Sequence, residues 1–271
     1  MKITGQTIVK AYNDVFENDI QRNNEDACLH HDNVVAISDG AGGVGILADK
    51  WANTLVNNVP SQPFKKIENI DKWMALFWED FYNKYSKELQ DDPWKIKKFE
   101  EEGSLATLSV IWQTASKKFQ YESYGDSVLF IFNKRSGKLH IQNNFKSINS
   151  FTSHPALLNW ATEKHHKQYF FKQTIHLQKN DEIILATDGI AMYIYGAYLT
   201  SKNTIGEVIL ESKMQKIVDY YKENPIKNFK QWILKLKESL NTTQEFYKWI
   251  NKKYETACLP NDDYTLVFIE E

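Results

Sequence analysis

Short runs of apolar and β-branched residues recur along the chain and predict seven β-strands. Two of these runs end at an Asp-Gly pair, and the last run alternates between apolar and polar positions. The predicted strands are Thr4–Tyr12, Val34–Ser38, Leu105–Trp112, Phe119–Tyr124, Val128–Asn133, Glu182–Thr187 and Tyr264–Ile269.

Apolar residues recur at helical spacing between the strands, over Val44–Val59, over Trp73–Tyr85 and in two or three helices over Ile205–Glu255. We interpret the aromatic residues of the second region as packing residues rather than a binding box. These residues are Trp73, Phe77, Trp78 and Phe81. Strands and helices come in blocks, which favours an α+β fold with antiparallel sheets over a βαβ series. Because no linker or repeat interrupts the chain, we expect one domain over residues 1–271.

The charge balance is close to neutral, with 33 Lys and Arg residues against 35 Asp and Glu residues in 271 positions. A formal net charge of -2 gives no global basic field, so nucleic acid is not an expected partner. No apolar run is long enough for a signal peptide or a membrane span, which predicts a soluble cytoplasmic protein without a membrane partner.

Cysteine and histidine residues carry no recognisable site. Cys28 and Cys258 are expected to be reduced thiols without an assigned role, because no CxxC or Cys/His zinc pattern is present. The adjacent pairs His30-His31 and His165-His166 point in different directions on any regular element, so we do not expect zinc to bind there.

Acidic residues at the ends of apolar strands are the informative feature. The segments are Asn24-Glu25-Asp26, Ser38-Asp39-Gly40-Ala41-Gly42-Gly43, Gly125-Asp126-Ser127, Thr187-Asp188-Gly189 and Asn261-Asp262-Asp263. Each segment alone is typical of a turn or a solvated loop. Carboxylates that converge on one rim repel each other unless a hard cation binds, and oxygen ligands are those that Mg²⁺ and Mn²⁺ prefer.

In this order the segments resemble the PP2C (PPM) family of metal-dependent phosphatases. The matching stretches are NNEDA, VVAISDGAGG, GSLATLSV, ESYGDSVLFIF, EIILATDGI and NDDYTLVFIE, which span residues 22–269. The resemblance implies an α-β-β-α sandwich of two antiparallel sheets flanked by helices. It also implies hydrolysis of phosphoserine and phosphothreonine on phosphoproteins, by a water that two Mn²⁺ or Mg²⁺ ions activate.

The resemblance also implies the residues of the site. Asp39 would bridge two metal ions, with the Gly40 carbonyl on one of them, and Asp188 and Asp262 would complete the shell of the first ion. Glu25 and Asp26 would act mostly through bound waters, with Glu25 counted among the catalytic residues. Asp126 stands where the family has a third, weaker metal.

The sequence departs from the family pattern at four positions. The usual place of a phosphate-binding arginine holds Gln21, and the arginine is the next residue, Arg22, so either could contact phosphate. Ala41 stands where many eukaryotic members have a histidine proposed as general acid.

The other two departures concern metal binding. Met192 replaces a carboxylate of the third metal site, which predicts weak or absent binding of an ion at Asp126. Asp263 replaces an asparagine and adds a negative charge beside Asp262.

Two rival functions remain open on the same fold. One is a catalytically weak or inactive module that binds a phosphoprotein or partner, and the other is a hydrolase of small phosphate esters. We expect residues 143–172 and 197–258 to set specificity. The sequence makes no prediction of the oligomeric state.

Overall fold

The computed structural model of the chain describes residues 1–9, 23–43, 45–142, 155–204, 212–256 and 259–271, except the side chains of 212–216. The strands are β1 (Lys2–Ile8), β2 (Ala27–His31), β3 (Val34–Ser38), β4 (Leu105–Ala106), β5 (Leu108–Ala115), β6 (Lys118–Tyr124), β7 (Val128–Asn133), β8 (Leu139–Ile141), β9 (Leu158–Asn159), β10 (Phe170–His176), β11 (Asp181–Ala186) and β12 (Tyr264–Glu270). The α-helices are α1 (Ala48–Asn57), α2 (Ile67–Met74), α3 (Trp78–Leu89), α4 (Pro93–Glu102), α5 (Asp188–Ser201), α6 (Ser212–Glu223), α7 (Phe229–Glu238) and α8 (Thr243–Glu255).

The chain divides into two compact units, each made of separate stretches of sequence. Unit 1 comprises Met1–Asn24, Asp126–His154 and Leu177–Glu271, and unit 2 comprises Glu25–Gly125 and Pro155–His176. Because the chain passes between the units several times, the division does not follow a linker. The expectation of one domain over the whole chain stays a prediction.

Unit 1 is built on a five-stranded antiparallel sheet in the order β1-β12-β11-β7-β8. Its core joins sheet residues such as Phe130, Ile184 and Phe268 to helix residues such as Tyr193 and Phe246, all of them buried. Consecutive residues of β11 are buried, which explains its continuous apolar run. The alternation expected of the last strand is wrong, because Tyr264 to Ile269 of β12 are all buried.

Unit 2 is built on a second five-stranded antiparallel sheet in the order β10-β6-β5-β3-β2, with a small β4-β9 pair beside it. Helices α1 to α4 supply an aromatic core in which Trp51 is fully buried and contacts Phe81 at a ring distance of 4.9 Å. Antiparallel sheets covered by helices confirm the α+β expectation.

Most predicted elements are present, and strands β3 and β7 have the predicted bounds. The predicted helix Trp73–Tyr85 is wrong in one respect, because α2 ends at Met74 and α3 begins at Trp78. The sequence reading missed α4, which begins at a Pro and is capped by Asp92, and α5, which is apolar around most of its circumference. No helix in the described ranges is long and apolar enough to cross a membrane.

Candidate metal and phosphate site

Three carboxylates of unit 2 lie at one end of the β2–β3 hairpin. Glu25 and Asp26 directly precede β2, and Asp39 directly follows β3. The antiparallel register pairs Ala27 with Ser38, so these residues continue from the same end of the two strands. Asp26 is buried, whereas Glu25 and Asp39 are half-buried. We call this set the acidic end of unit 2.

The backbone at Gly40 passes too close to its neighbours for any side chain. A Cβ at this position would lie 2.7 Å from the Glu25 carbonyl oxygen and 2.8 Å from the Ala48 carbonyl oxygen. The Gly40 N–H donates to that same Glu25 carbonyl at 3.1 Å. A Cβ at Gly42 would lie 2.0 Å from Glu25 Oε1, so the Glu25 carboxylate occupies the space beside the glycine loop. The glycines of this motif therefore let the loop close around Glu25.

Asp39 is held by the segment between β4 and β5. Its N–H donates to Thr107 Oγ1 at 3.0 Å, and its carbonyl accepts the Thr107 N–H at 2.8 Å. Ser38 Oγ donates to the Thr107 carbonyl at 2.6 Å. Gly125 has a φ of 120° and leaves no room for a Cβ, which would lie 2.5 Å from Thr107. Thr107, which the sequence reading did not single out, therefore fixes the backbone that carries Asp39.

Three carboxylates of unit 1 lie at one end of its sheet. Asp126 comes just before β7, Asp188 follows β11 at the start of α5, and Asp262 comes just before β12. Val128 pairs with Ala186, which in turn pairs with Leu266, so the three residues extend from the same end of adjacent strands. We call this set the acidic end of unit 1.

Asp262 lies beside Gly189, the residue that follows Asp188. A Cβ on Gly189 would lie 3.4 Å from the Asp262 Cβ. Each of the two aspartates accepts a hydrogen bond from the N–H of the residue that follows it, at 2.6 Å for Asp188 and 3.0 Å for Asp262. The family resemblance linked Asp188 to Asp262, and their assignment to one metal ion stays a prediction.

A chain of hydroxyl groups, missed in the sequence, supports the acidic end of unit 1. Asn24 Nδ2 and Thr265 Oγ1 both donate to Thr7 Oγ1 at 2.8 Å. The Thr265 N–H donates to Thr187 Oγ1 at 3.0 Å, and the Thr187 N–H donates to the Thr265 carbonyl at 3.1 Å. The asparagine of the Asn-Glu-Asp motif thus has a structural role, as part of the network that fixes the residue before Asp188.

The side-chain donors of each acidic end are all oxygen atoms, which fit a hard divalent cation better than zinc. The Gly42 loop also closes around the Glu25 carboxylate, as expected of a carboxylate that is held in place near a metal ion. Among the residues that the structure describes, no three His, Cys, Asp or Glu side chains are grouped so that they could hold a metal ion. The metal-ligand assignments therefore stay predictions.

Several other predicted residues can be placed. Met192 is buried in the core of unit 1. Asp263 is buried and Ala41 is half-buried. Burial, and secondarily the charge of Asp26, raises the pKa of the Cys28 thiol to about 12, so the thiol is protonated at neutral pH.

Some predictions fall on residues outside the described ranges. The candidate phosphate-binding residues Gln21 and Arg22 are among them, as is Cys258. Two segments, 143–172 and 197–258, were expected to set specificity. Of the first, 143–154 is outside the described part and the remainder runs from Pro155 through β9 into β10; of the second, 205–211 and 257–258 are outside it.

Comparison with solved structures shows the class of fold. The chain matches structures of bacterial serine and serine/threonine phosphatases over almost its whole length. The PP2C-like α+β fold is therefore confirmed. No family model matches the sequence, and the comparison with curated proteins gives no match. The fold is thus recognised from the structure, at a sequence identity too low to show more than the fold.

Three structures illustrate the likeness. A bacterial serine phosphatase is 13% identical with a TM-score of 0.52, and the match covers 99% of this chain and 96% of that one. The S. agalactiae serine/threonine phosphatase is 15% identical with a TM-score of 0.51 and 98% of each chain covered. PppA, a key regulatory component of T6SS in Pseudomonas aeruginosa, is 15% identical with a TM-score of 0.50 and 98% and 96% covered.

Proposed function

We propose that this chain is a metal-dependent protein phosphatase of the PP2C type, which hydrolyses phosphoserine and phosphothreonine on phosphoproteins. The observation that carries the proposal is the placement of the carboxylates. In each unit three of them extend from one end of adjacent strands, on backbone fixed by hydrogen bonds. Mutually repelling carboxylates at fixed positions are expected of a cation site and are not needed for folding.

We assign the direct metal ligands to Asp39, the Gly40 carbonyl, Asp188 and Asp262, with Glu25 and Asp26 acting through waters. When two divalent ions are bound, they activate a water for attack on phosphorus and neutralise charge on the phosphoryl oxygens. Mn²⁺ and Mg²⁺ both suit such a set.

The protein itself supplies position and shape. Thr107 fixes the Asp39 backbone, and Thr187 and Thr265 fix the chain that enters Asp188, so the carboxylates need little reorganisation when a ligand binds. Ala41 carries no proton that it could give to the leaving oxygen, so either water protonates that oxygen or the preferred substrate has a good leaving group. Buried Met192 offers no oxygen ligand, and we therefore expect only weak binding of a third ion at Asp126.

The test is hydrolysis of p-nitrophenyl phosphate and of a phosphothreonine peptide in the presence of Mn²⁺, Mg²⁺ or EDTA. Asp39→Asn and Asp188→Asn should each abolish metal-dependent turnover while the protein stays folded. Asp32→Asn is the matched control, because Asp32 is exposed in the turn at the opposite end of the β2–β3 hairpin and should leave turnover unchanged. Full activity in Asp188→Asn would refute the site assignment.

Two outcomes would favour the rival functions. Folded protein that shows no turnover with any metal, yet retains a phosphoprotein, would identify a binding module. Turnover of small phosphate esters but not of phosphopeptides would identify a small-ester hydrolase. Arg22→Ala and Gln21→Ala, measured separately, show which residue contacts phosphate, because losing that contact raises KM for the peptide.

A further inference from the structure

A groove on unit 2 is lined by aromatic rings and carboxylates. It consists of two adjoining cavities of about 540 and 490 Å³ that share Trp78, Glu100 and Trp160. Glu163 also lines the larger cavity, and Glu79 and Tyr82 line the smaller one. We call these six residues the acidic aromatic groove. It lies among α2, α3, α4 and the segment after β9, and none of its residues belongs to the acidic end of unit 2.

The aromatic rings of the groove are held rigidly from behind. The rings of Trp78 and Trp160 are parallel to within 2°, with their centroids 6.1 Å apart. The Trp160 ring packs on the ring of fully buried Phe99, with centroids 5.0 Å apart. The Tyr82 ring stacks on the same Phe99 ring, with centroids 5.7 Å apart. Trp78, Tyr82 and Trp160 are themselves only half-buried, so the groove is lined by fixed rings that solvent can reach.

The charge of the groove has one sign. Its carboxylates are Glu79, Glu100 and Glu163, and no lysine or arginine is among the described residues that line it. The three lysines of α4 beside it do not compensate, because Lys95 pairs with Asp92 and because Lys97 and Lys98 pair with other glutamates of the same helix. Glu100 instead accepts a hydrogen bond from the Tyr82 hydroxyl at 3.2 Å.

A fourth carboxylate, Asp71, adds to this field. His165 Nδ1 lies 2.8 Å from Asp71 Oδ1, and His165 Nε2 accepts the Asn159 N–H at 3.0 Å. An imidazole that accepts at Nε2 and donates at Nδ1 is the neutral form. His165 therefore orients Asp71 without cancelling its charge, and Asp71 also lines the larger cavity.

We propose that the acidic aromatic groove binds a basic segment of a partner polypeptide, with an arginine side chain stacked on Trp78 or Trp160 and paired with Glu100 or Glu163. Aromatic faces attract cations, and a guanidinium adds planar stacking and a fork of donors that matches a carboxylate. Two adjoining cavities exceed the space that one side chain fills, which favours a segment of chain over a small organic cation. The inference does not rest on phosphatase activity.

The test uses the full chain and a fluorescein-labelled heptapeptide of alternating glycine and arginine, followed by fluorescence anisotropy. We expect saturable binding that weakens as NaCl is added, because the charges lie near the surface. Glu100→Gln and Glu163→Gln should each raise Kd about tenfold, since each removes a charged hydrogen-bond partner. Glu88→Gln, an exposed residue of α3 outside the groove, is the matched control and should leave Kd unchanged.

Three outcomes would overturn the proposal. The first is the absence of saturable binding to the wild-type protein. The second is equal binding of the same peptide with citrulline in place of arginine, because citrulline keeps the shape and loses the charge. The third is full displacement of the peptide by an equal concentration of tetramethylammonium, which would make a small organic cation the occupant. The lysine version of the peptide should bind more weakly than the arginine version.

Discussion

Replacing Lys237 of α7 by methionine should leave a buried carboxylate without its direct partner. The Lys237 ammonium contacts the carboxylate of Glu182, whose side chain is only 1% exposed, and lies 3.0 Å from Glu270 Oε2. Lys134 Nζ lies 2.6 Å from Glu270 Oε1. Methionine keeps most of the apolar stem of lysine, so the substitution removes the charge with little change in packing.

The expected loss of stability follows from the burial of Glu182. Burial raises the pKa of this carboxyl, and the hydrogen bond and charge of Lys237 oppose that rise. Removing one partner of a buried ion pair costs about 3–5 kcal/mol. Because Lys134 stays nearby, we expect about 3 kcal/mol, which corresponds to a fall in Tm of roughly 5–10 °C. Because burial raises the pKa of the Glu182 carboxyl in the folded state, this carboxyl takes up a proton as pH falls. The loss of stability in Lys237→Met should therefore be smaller at about pH 5 than at about pH 8.

The assay is urea unfolding in EDTA, followed by tryptophan fluorescence at both pH values. Lys235→Met is the matched control on the exposed face of the same helix, and its effect should stay within about 0.5 kcal/mol. Adding Glu182→Gln to Lys237→Met should recover part of the loss, because no charge is then buried. A loss that is the same at both pH values, or no recovery in the double variant, would refute the reasoning.

Three further predictions concern single residues. Gly125→Ala should destabilise unit 2 by about 2 kcal/mol or more, because φ is 120° and a Cβ would lie 2.5 Å from a neighbouring side chain. The measurement is the Tm of Gly125→Ala compared with that of Gly137→Ala. At Gly137 φ is 68° and the nearest atom would lie 3.9 Å from an added Cβ, so this control has the backbone strain without the clash. Glu122→Gln should cost about 1–3 kcal/mol at neutral pH in urea unfolding, because the carboxylate accepts the Phe64 N–H at 2.8 Å and the N–H of the next residue at 3.0 Å. Hydrogen bonding to its lysine neighbours lowers the pKa of Glu270 to about 2 from 4.5. The stabilisation that ionised Glu270 gives to the fold should therefore be present above about pH 4.5 and lost toward pH 2. In a pH–stability curve, Glu270→Gln should lower the free energy of unfolding above about pH 4.5 by about 2 kcal/mol and so flatten the fall at acid pH.

The strands that were predicted have buried positions that appear in the sequence as apolar runs, whereas β2, β8, β9 and β10 were not predicted. Val34–Ser38 is buried at every position and is followed at once by an Asp-Gly pair, so both its period and its end are visible. The break between α2 and α3 was not visible, because Ala75 to Phe77 include no glycine or proline and the aromatic spacing continues across them. That spacing persists because Trp73 and Phe77 still pack, with ring centroids 5.0 Å apart.

The two missed helices differ in what the sequence offered. The start of α4 carried a usable signal, since Asp92 caps the helix by accepting the Lys95 N–H at 3.1 Å and Pro93 is the first helical residue. The helix α5 carried no amphipathic signal, because most of its residues are buried, including Ile190 and Ile194.

The grouping of site residues was predictable only within a hairpin. Glu25, Asp26 and Asp39 flank strands that are neighbours in sequence, so their grouping follows from the short turn between β2 and β3 once β2, which was not predicted, is recognised. Asp188 and Asp262 flank β11 and β12, which pair across a long stretch that contains the helices α5 to α8. Local periodicity holds no information on that pairing, and only the family pattern connected the two. No structural role was predicted for Thr107, Thr187 and Thr265, because a threonine near a strand end does not by itself indicate a hydrogen bond that supports a site.

If the proposed ligands are right, metal binding and stability without metal depend in opposite ways on the charges of the two acidic ends. Without metal, each carboxylate of a set raises the energy of the others, so Asp188→Asn should leave the Tm in EDTA unchanged or higher. With saturating Mn²⁺, the wild-type Tm should rise by ligand linkage, whereas that rise should be absent in Asp188→Asn. Asp39→Asn makes the experiment decisive, because it alters the other acidic end. Loss of the Mn²⁺ response in both variants would support both ligand assignments, and a full response in either variant would refute the assignment of that aspartate.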